Sequence, residues 1–221
     1  MQSLQQNYLA VLRTILSHGG VTLIAVSKTF GIDAIRELYD LGQHDFGENY
    51  AQEFSQKTNE LKDLDIVWHF IGNIQSNKIK LIASNAHWVH SISTTKQIIK
   101  LAKHRPINLP KLNILLEVNI SNEPSRHGVN SYNELLELAN LIQSNNNLKL
   151  RGLMGIASDT KGNEIIENQF QKLTNMYQQL NRDGFDVDTL SMGMSNDYEL
   201  AIKNGSTMIR IGSKIFGSRN H

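Results

Sequence analysis

Two hydrophobic rhythms alternate along this chain. Short runs that are apolar on both parities read as buried strands. Longer stretches with an apolar residue every three or four positions read as one-faced helices. The first helix is expected over residues 3–17, where Leu4, Tyr8, Val11, Leu12 and Ile15 share a face. Ser3 and Gln6 have capping-box spacing, and His18-Gly19-Gly20 stops the helix. Residues 21–27 then read as a strand covered on both faces, apolar apart from Thr22 and Ser27. The alternation continues with strands expected at 44–47, 65–71, 87–92, 112–120, 148–156, 189–192 and 207–211. Helices are expected at 33–41, 50–62, 76–83, 94–104, 132–144, 163–182 and 197–204. Gly212 opens a final segment.

Strands that alternate with helices imply a parallel sheet. Eight such units in 221 residues suit a single α/β barrel of the (β/α)8 TIM type with an extra N-terminal helix. A doubly wound open sheet is the alternative that the same alternation allows. No linker or low-complexity stretch divides the chain, so residues 1–221 are expected to form one domain.

Composition narrows the partners. The chain carries 22 Lys and Arg against 21 Asp and Glu, which gives no electrostatic reason to expect nucleic acid or a membrane surface. Cysteine is absent, which excludes disulfides and thiolate metal sites. Met1-Gln2-Ser3-Leu4-Gln5-Gln6 lacks a basic stretch and a continuous apolar run, so no signal peptide is expected. No apolar run approaches the ~18 residues of a membrane span. A soluble, cytoplasmic monomer is the expectation. The eight histidines are dispersed, no metal site is expected, and there is no P-loop, Gly-x-Gly-x-x-Gly or Gly-x-Ser-x-Gly.

A barrel of this type binds its ligands at the C-terminal ends of the strands. Those ends offer Lys28, Glu48 and Asn49, His69 and Asn73, His90 and Ser91, Asn119 and Ser121, Met154-Gly155, Ser191 to Ser195, and Arg210 to Ser213. The last two are the loops that commonly hold phosphate in such barrels. Gly193, Gly212 and Gly217 let backbone approach an anion, and Ser191, Ser195 and Ser213 add hydroxyl donors. Ser195-Asn196-Asp197 also reads as a helix N-cap, and ordinary turn and cap roles remain an alternative for the whole set. Arg210 lies within the eighth strand on the face of Met208, where a guanidinium needs a partner. That partner is either a structural acid or a ligand nitrogen or carboxylate.

Lys28 ends the first strand. An amine of ordinary pKa near 10.4 is about 0.04% neutral at pH 7. Burial and a nearby arginine lower that pKa, and a neutral amine condenses with aldehydes. A lysine paired with a carboxylate such as Glu117 is the plainer alternative. Phosphate loops, a buried lysine and a buried arginine together describe a site for pyridoxal 5′-phosphate. Lys28 would hold the aldehyde as a Schiff base, and Arg210 would face the ring nitrogen.

Five stretches carry a family resemblance. They are Ala25-Val26-Ser27-Lys28-Thr29, Phe46-Gly47-Glu48-Asn49-Tyr50-Ala51-Gln52-Glu53, Trp68-His69-Phe70-Ile71-Gly72-Asn73-Ile74-Gln75-Ser76-Asn77-Lys78, Leu190-Ser191-Met192-Gly193-Met194-Ser195 and Gly205-Ser206-Thr207-Met208-Ile209-Arg210-Ile211-Gly212. They resemble the YggS/PROSC family of pyridoxal phosphate homeostasis proteins, from about residue 21 to Arg219. The resemblance implies a barrel like the N-terminal domain of alanine racemase, with Lys28 as the Schiff-base lysine and Arg210 at the pyridine nitrogen. It implies that Gly212, Ser213 and the Ser191–Ser195 loop hold the phosphate, and it places Asn49 and His69 near the cofactor. Arg126, Ser213 and Lys214 depart from the family's usual Lys, Thr and Ala, and the serine keeps the hydroxyl.

An arginine at the ring nitrogen keeps that nitrogen unprotonated and weakens the ring as an electron sink. Racemases of the related fold take a second base from a further domain, which the residues of this barrel leave no length to build. The expectation is therefore a protein that holds pyridoxal phosphate for intracellular homeostasis without turnover, with no catalytic residues. Apo-enzymes that use this cofactor are its possible partners. A weak amino-acid racemase is the alternative.

Overall fold

The computed structural model describes residues 3–159 and 162–217. Met1 and Gln2 of the N-terminal reading, and Arg219 at the end of the resembling stretch, lie outside the described residues. Eight strands pair in chain order and close into a barrel: β1 (Thr22–Val26), β2 (Asp45–Glu48), β3 (Val67–Phe70), β4 (Trp88–Ile92), β5 (Leu112–Val118), β6 (Leu148–Gly155), β7 (Thr189–Ser191) and β8 (Met208–Ile211). All neighbours are parallel, including β1 with β8, where Ile24 stands opposite Arg210. Closure removes the open edges of the doubly wound alternative.

The helices are α1 (Leu4–Leu16), α2 (Ile32–Asp40), α3 (Ala51–Glu60), α4 (Ile79–Asn85), α5 (Thr95–His104), α6 (Tyr132–Gln143), α7 (Asn163–Arg182), α8 (Tyr198–Lys203) and α9 (Ser213–Phe216). The capping box at Ser3 forms as the spacing predicts, and a second forms between Thr94 and Gln97. Most strands are trimmed by a residue or two relative to the apolar runs, and β2 is shifted one residue later than the expected 44–47. The helix expected at 76–83 starts later, because Gln75 to Lys78 form a turn after β3. The four-residue α9 is too short for any periodicity and lies in the segment opened by Gly212.

The strands divide the apolar residues by parity. Outward residues such as Phe46, Phe70 and Leu116 pack with the helices in one continuous core. Phe54 of α3 meets Trp68 and Phe70 edge-on, with ring centroids 6.0 and 5.7 Å apart, each pair worth about 0.5–1.5 kcal/mol beyond area burial. Inward residues Ile24, Val26, Trp88, Leu115, Met154 and Met208 form a second, smaller cluster inside the barrel. Trp68, Trp88 and Phe70 are thus core residues, as their strand positions predict. Lys28 follows β1 in a turn at the C-terminal mouth of the barrel. The N-terminal helix braces that same end: Asn7 Nδ2 donates to Ile215 O of α9 at 3.0 Å.

Candidate functional site

Five polar residues inside the barrel are joined into one chain of hydrogen bonds. Arg210, on the inward parity of β8 and 4% exposed, donates from Nη1 to Ser191 Oγ at 2.6 Å and from Nη2 to Gly155 O at 3.1 Å. Ser191 Oγ lies 3.2 Å from His90 Nδ1. His90 Nε2 lies 2.9 Å from His69 Nδ1, and His69 Nε2 lies 2.9 Å from Asp45 Oδ1. Five strands contribute one residue each. The chain runs from Asp45, part-exposed at the start of β2, to Arg210 near the mouth.

The two ends fix its polarity. A guanidinium only donates and a carboxylate only accepts. Burial lowers the pKa of His69, against the pull of Asp45, and lowers that of His90 further, with His69 and Arg210 adding to the effect. Both imidazoles are therefore neutral near pH 7, and the His69–Asp45 contact is a hydrogen bond rather than an ion pair. Each ring then has one N–H, and a consistent arrangement exists. Ser191 donates to His90 Nδ1, His90 Nε2–H to His69 Nδ1, and His69 Nε2–H to Asp45. Arg210 is held at the other end with an acceptor for each of two nitrogens. Burial brings its pKa down to about 10, with Asp197 and Glu117 opposing, so it remains a cation at pH 7.

Ser191 and His69 are both engaged within this chain of hydrogen bonds. The Ser191 hydroxyl is turned inward to Arg210 and His90 rather than into the loop after β7. Both nitrogens of His69 are engaged by His90 and Asp45, so it reaches the mouth through its neighbours. His90 is among the polar strand ends of the sequence but has no role assigned there, and Asp45 is absent from that set. Inward parity with Trp88 marks His90 in the sequence, but nothing local marks Asp45, because its partner lies 24 residues away on β3.

The loops after β7 and β8 come together. Ser195 Oγ accepts from Lys214 N at 3.3 Å, which ties one loop to the other. Asp197 Oδ1 accepts from Met194 N at 2.6 Å and closes the first loop on itself. Asp197, rather than Ser195, is the N-cap residue of α8, and its side chain makes no cap bond to that helix. Gly193 has φ +98°, and a Cβ there would stand 2.7 Å from that of Ala201, so this loop requires glycine. A Cβ on Gly212 would meet Val26 O at an ordinary 3.4 Å, so packing alone does not require glycine at that position. Ser213 opens α9 beside it.

Across the mouth, Asn49, Tyr50, Gln52, Gly72, Asn73 and Lys78 line a cleft of about 320 Å³. Gly72 makes its floor, since a Cβ would fall 2.0 Å from Asn49 O. Asn49 Oδ1 is buried and lacks a hydrogen-bond partner among the described residues, which is unusual for a buried acceptor. Glu117, on the inward parity of β5, has its carboxyl pushed up by burial against His127 and Arg210. Among the described residues no group of three or more His, Asp or Glu side chains could hold a metal. No described helix is long and apolar enough to cross a membrane.

These residues fit pyridoxal phosphate. A lysine just after β1, an inward arginine donor on the adjacent β8, two joined Gly/Ser loops and an orphaned acceptor at Asn49 match an aldehyde, a ring nitrogen, a phosphate and a hydrogen-bond donor on the ring. Comparison with known proteins points the same way. A family model described as "Alanine racemase, N-terminal domain" matches residues 1–220. A pyridoxal phosphate homeostasis protein of Vibrio alginolyticus is 47% identical over 205 residues, covering 91% of this chain and 88% of its own length. The protein of that name from Escherichia coli (strain K12) is 43% identical over 207 residues, covering 91% and 87%. The solved structure of PipY from Synechococcus elongatus PCC7942, with PLP bound, is 33% identical, with a TM-score of 0.86 over 97% of this chain and 100% of that one. Alanine racemase from Corynebacterium glutamicum shares the fold at 14% identity, with a TM-score of 0.73 over 98% of this chain and 60% of that one.

Proposed function

Since this chain belongs to the family of pyridoxal phosphate homeostasis proteins, we propose that it binds pyridoxal 5′-phosphate on Lys28 and serves the homeostasis of that cofactor without turning over a substrate. The bound group supplies an aldehyde that condenses with an amine and a ring that withdraws electrons from the attached carbon. What this barrel does with that chemistry depends on its own side chains.

The observation that carries the reading is the buried chain behind Arg210. It leaves Arg210 charged and aimed, with its donors set by Ser191 and Gly155 O. A guanidinium that keeps its protons presents N–H to a ring nitrogen and does not protonate it. Holding is thereby favoured over electron-sink chemistry. Ser191, His90, His69 and Asp45 act through Arg210. Ser195, Gly212 and Ser213 receive the phosphate, and Asn49 Oδ1 accepts from a donor on the ring. The same reading takes residues 1–221 as one binding domain of a cytoplasmic monomer that passes cofactor to apo-enzymes. The absence of cysteine fits that location.

The test is reduction of the loaded protein with borohydride and mapping of the adduct, about 231 Da for one reduced cofactor on an amine. It is expected on the peptide that contains Lys28, and an adduct elsewhere overturns the assignment. The same preparation, incubated with L- and D-amino acids in D₂O, is expected to show negligible exchange at Cα. Exchange at an ordinary enzyme rate of ~1 s⁻¹ or more, with inversion at Cα, would favour the racemase reading instead.

A further inference from the structure

A cluster of three charged side chains lies on the outer side of β1 and β2, away from the chain behind Arg210. Lys57 of α3 is buried, and its ammonium has three partners: Ser27 O at 2.8 Å, Glu48 Oε1 at 2.7 Å and Glu53 Oε1 at 2.7 Å. Ser27 Oγ donates to Glu48 Oε1 at 2.6 Å, and Thr29 N donates to Glu53 Oε1 at 2.6 Å. Glu48 is fully buried, with its other oxygen unpartnered among the described residues.

The contacts of this cluster converge on two residues, Ser27 and Thr29, and the residue between them is Lys28. Residues 27–30 form a turn in which Phe30 N donates to Ser27 O at 3.0 Å. Thr29, its second central residue, has φ +70°. Glycine or asparagine is the usual occupant of such a position, because a side chain is strained there. Here a β-branched residue holds the conformation, and the carboxylate of Glu53 takes its N–H. A buried ion cluster is a poor way to add stability, because desolvation offsets the attraction and apolar packing does as well or better. Its geometry is better suited to fixing a backbone.

We propose that Glu48, Lys57 and Glu53 are positioning residues for Lys28: they clamp the peptide units on either side of it and so aim its side chain into the barrel mouth. This rests on the reading of Lys28 as the cofactor lysine. The clamp gives α3 a role in the site although none of the three side chains belongs to the barrel interior.

Glu53 is the member to vary, since its side chain is 25% exposed and its loss leaves the buried Lys57–Glu48 pair intact. E53A removes the acceptor for Thr29 N, E53Q keeps an acceptor oxygen, and D63A removes a surface ion pair with Arg36 as a control. The first readout is amide hydrogen exchange in full-length protein without added cofactor. E53A is expected to raise exchange at residues 28–30 by about tenfold or more, while E53Q and D63A stay near wild type. The second is pyridoxal phosphate affinity and the pH midpoint of its absorbance near ~420 nm, expected to weaken at least about fivefold and to shift in E53A and to recover in E53Q. Exchange at residues 28–30 within about twofold of wild type in E53A overturns the clamp. Affinity and pH midpoint unchanged while those amides open overturn its role in aiming Lys28. A wild-type protein that takes up no pyridoxal phosphate refutes the binding reading instead, and the exchange experiment still judges the clamp.

Discussion

Arg210 Nη1 and Ser191 Oγ stand 2.6 Å apart inside the barrel, on neighbouring strands β8 and β7. This bond joins a buried cation to a buried pair of neutral histidines through one hydroxyl. S191A removes the link and leaves one Arg210 donor and His90 Nδ1 without partners. A buried polar group left unpaired costs about 1–3 kcal/mol. Urea unfolding of S191A is expected to show a loss of that size, with weaker uptake of pyridoxal phosphate. Stability and uptake equal to wild type would mean that the bond does not hold Arg210.

Replacing Arg210 itself separates binding from folding. R210Q removes a charge that burial already penalises, so the fold is expected to survive with a change of no more than about 2 kcal/mol. The cofactor's absorbance and affinity are expected to change more, by about tenfold in affinity, a loss of some 1.4 kcal/mol. Titration followed by absorbance decides this. An unchanged spectrum and affinity would reduce Arg210 to a structural role.

The histidine pair makes stability depend on pH. The folded pKa values of His69 and His90 lie below the ordinary 6.5, with burial the main cause. The unfolded chain therefore binds more protons below that value. The stability held by the neutral rings is present above about pH 6.5 and falls as the pH drops toward the folded pKa values. The loss is at most ~1.4 kcal/mol per pH unit for each ring. Glu48, Glu117 and Asp197, whose carboxyls burial pushes up, work in the opposite sense at lower pH. The difference between wild type and H90Q isolates His90. Urea unfolding at pH 7.0 and 5.5 is expected to show the steeper loss in wild type, and parallel slopes would contradict the neutral assignment.

Two glycines should behave oppositely. G72A would push a Cβ to within 2.0 Å of Asn49 O, and the obstructing atoms are all backbone of Asn49, which cannot swing aside as a side chain would. It is expected to destabilise by about 3 kcal/mol or more. G212A meets only an ordinary contact at 3.4 Å. It is expected to fold with a thermal midpoint within about 4 °C of wild type, yet to lose phosphate affinity because the methyl fills the approach to the loop. Equal affinity in G212A would move the phosphate elsewhere.

Much of the barrel was legible from local pattern. Runs that are apolar on both parities could only be strands buried on two sides, and their alternation with one-faced helices left few topologies. α7 falls at the expected residues 163–182, because its long amphipathic run leaves little freedom in register. Lys28 and Arg210 were also visible, one as a lysine at the end of an apolar strand and the other as a charge inside one. Closure was legible in the count of eight units and in the family resemblance rather than in local pattern, since β1–β8 pairing joins residues nearly a chain length apart and an open sheet has the same local pattern. The hydrogen-bond partners of Ser191 and His69 were hidden for a related reason. A strand position states which face a side chain takes, but its partner is set by the register of other strands.

The sequence by itself determined the element order, the core faces and the residue types available at the barrel mouth, because these follow from hydrophobic period and local turn chemistry. Only the tertiary structure decided who bonds to whom. It linked Asp45, His69, His90, Ser191 and Arg210 into one directed chain, and it brought Glu53 and Lys57 to the residues flanking Lys28. Hydrogen bonds act over about 3 Å, and the chain separations they bridge here, up to 101 residues between His90 and Ser191, close only when all eight strands are in register.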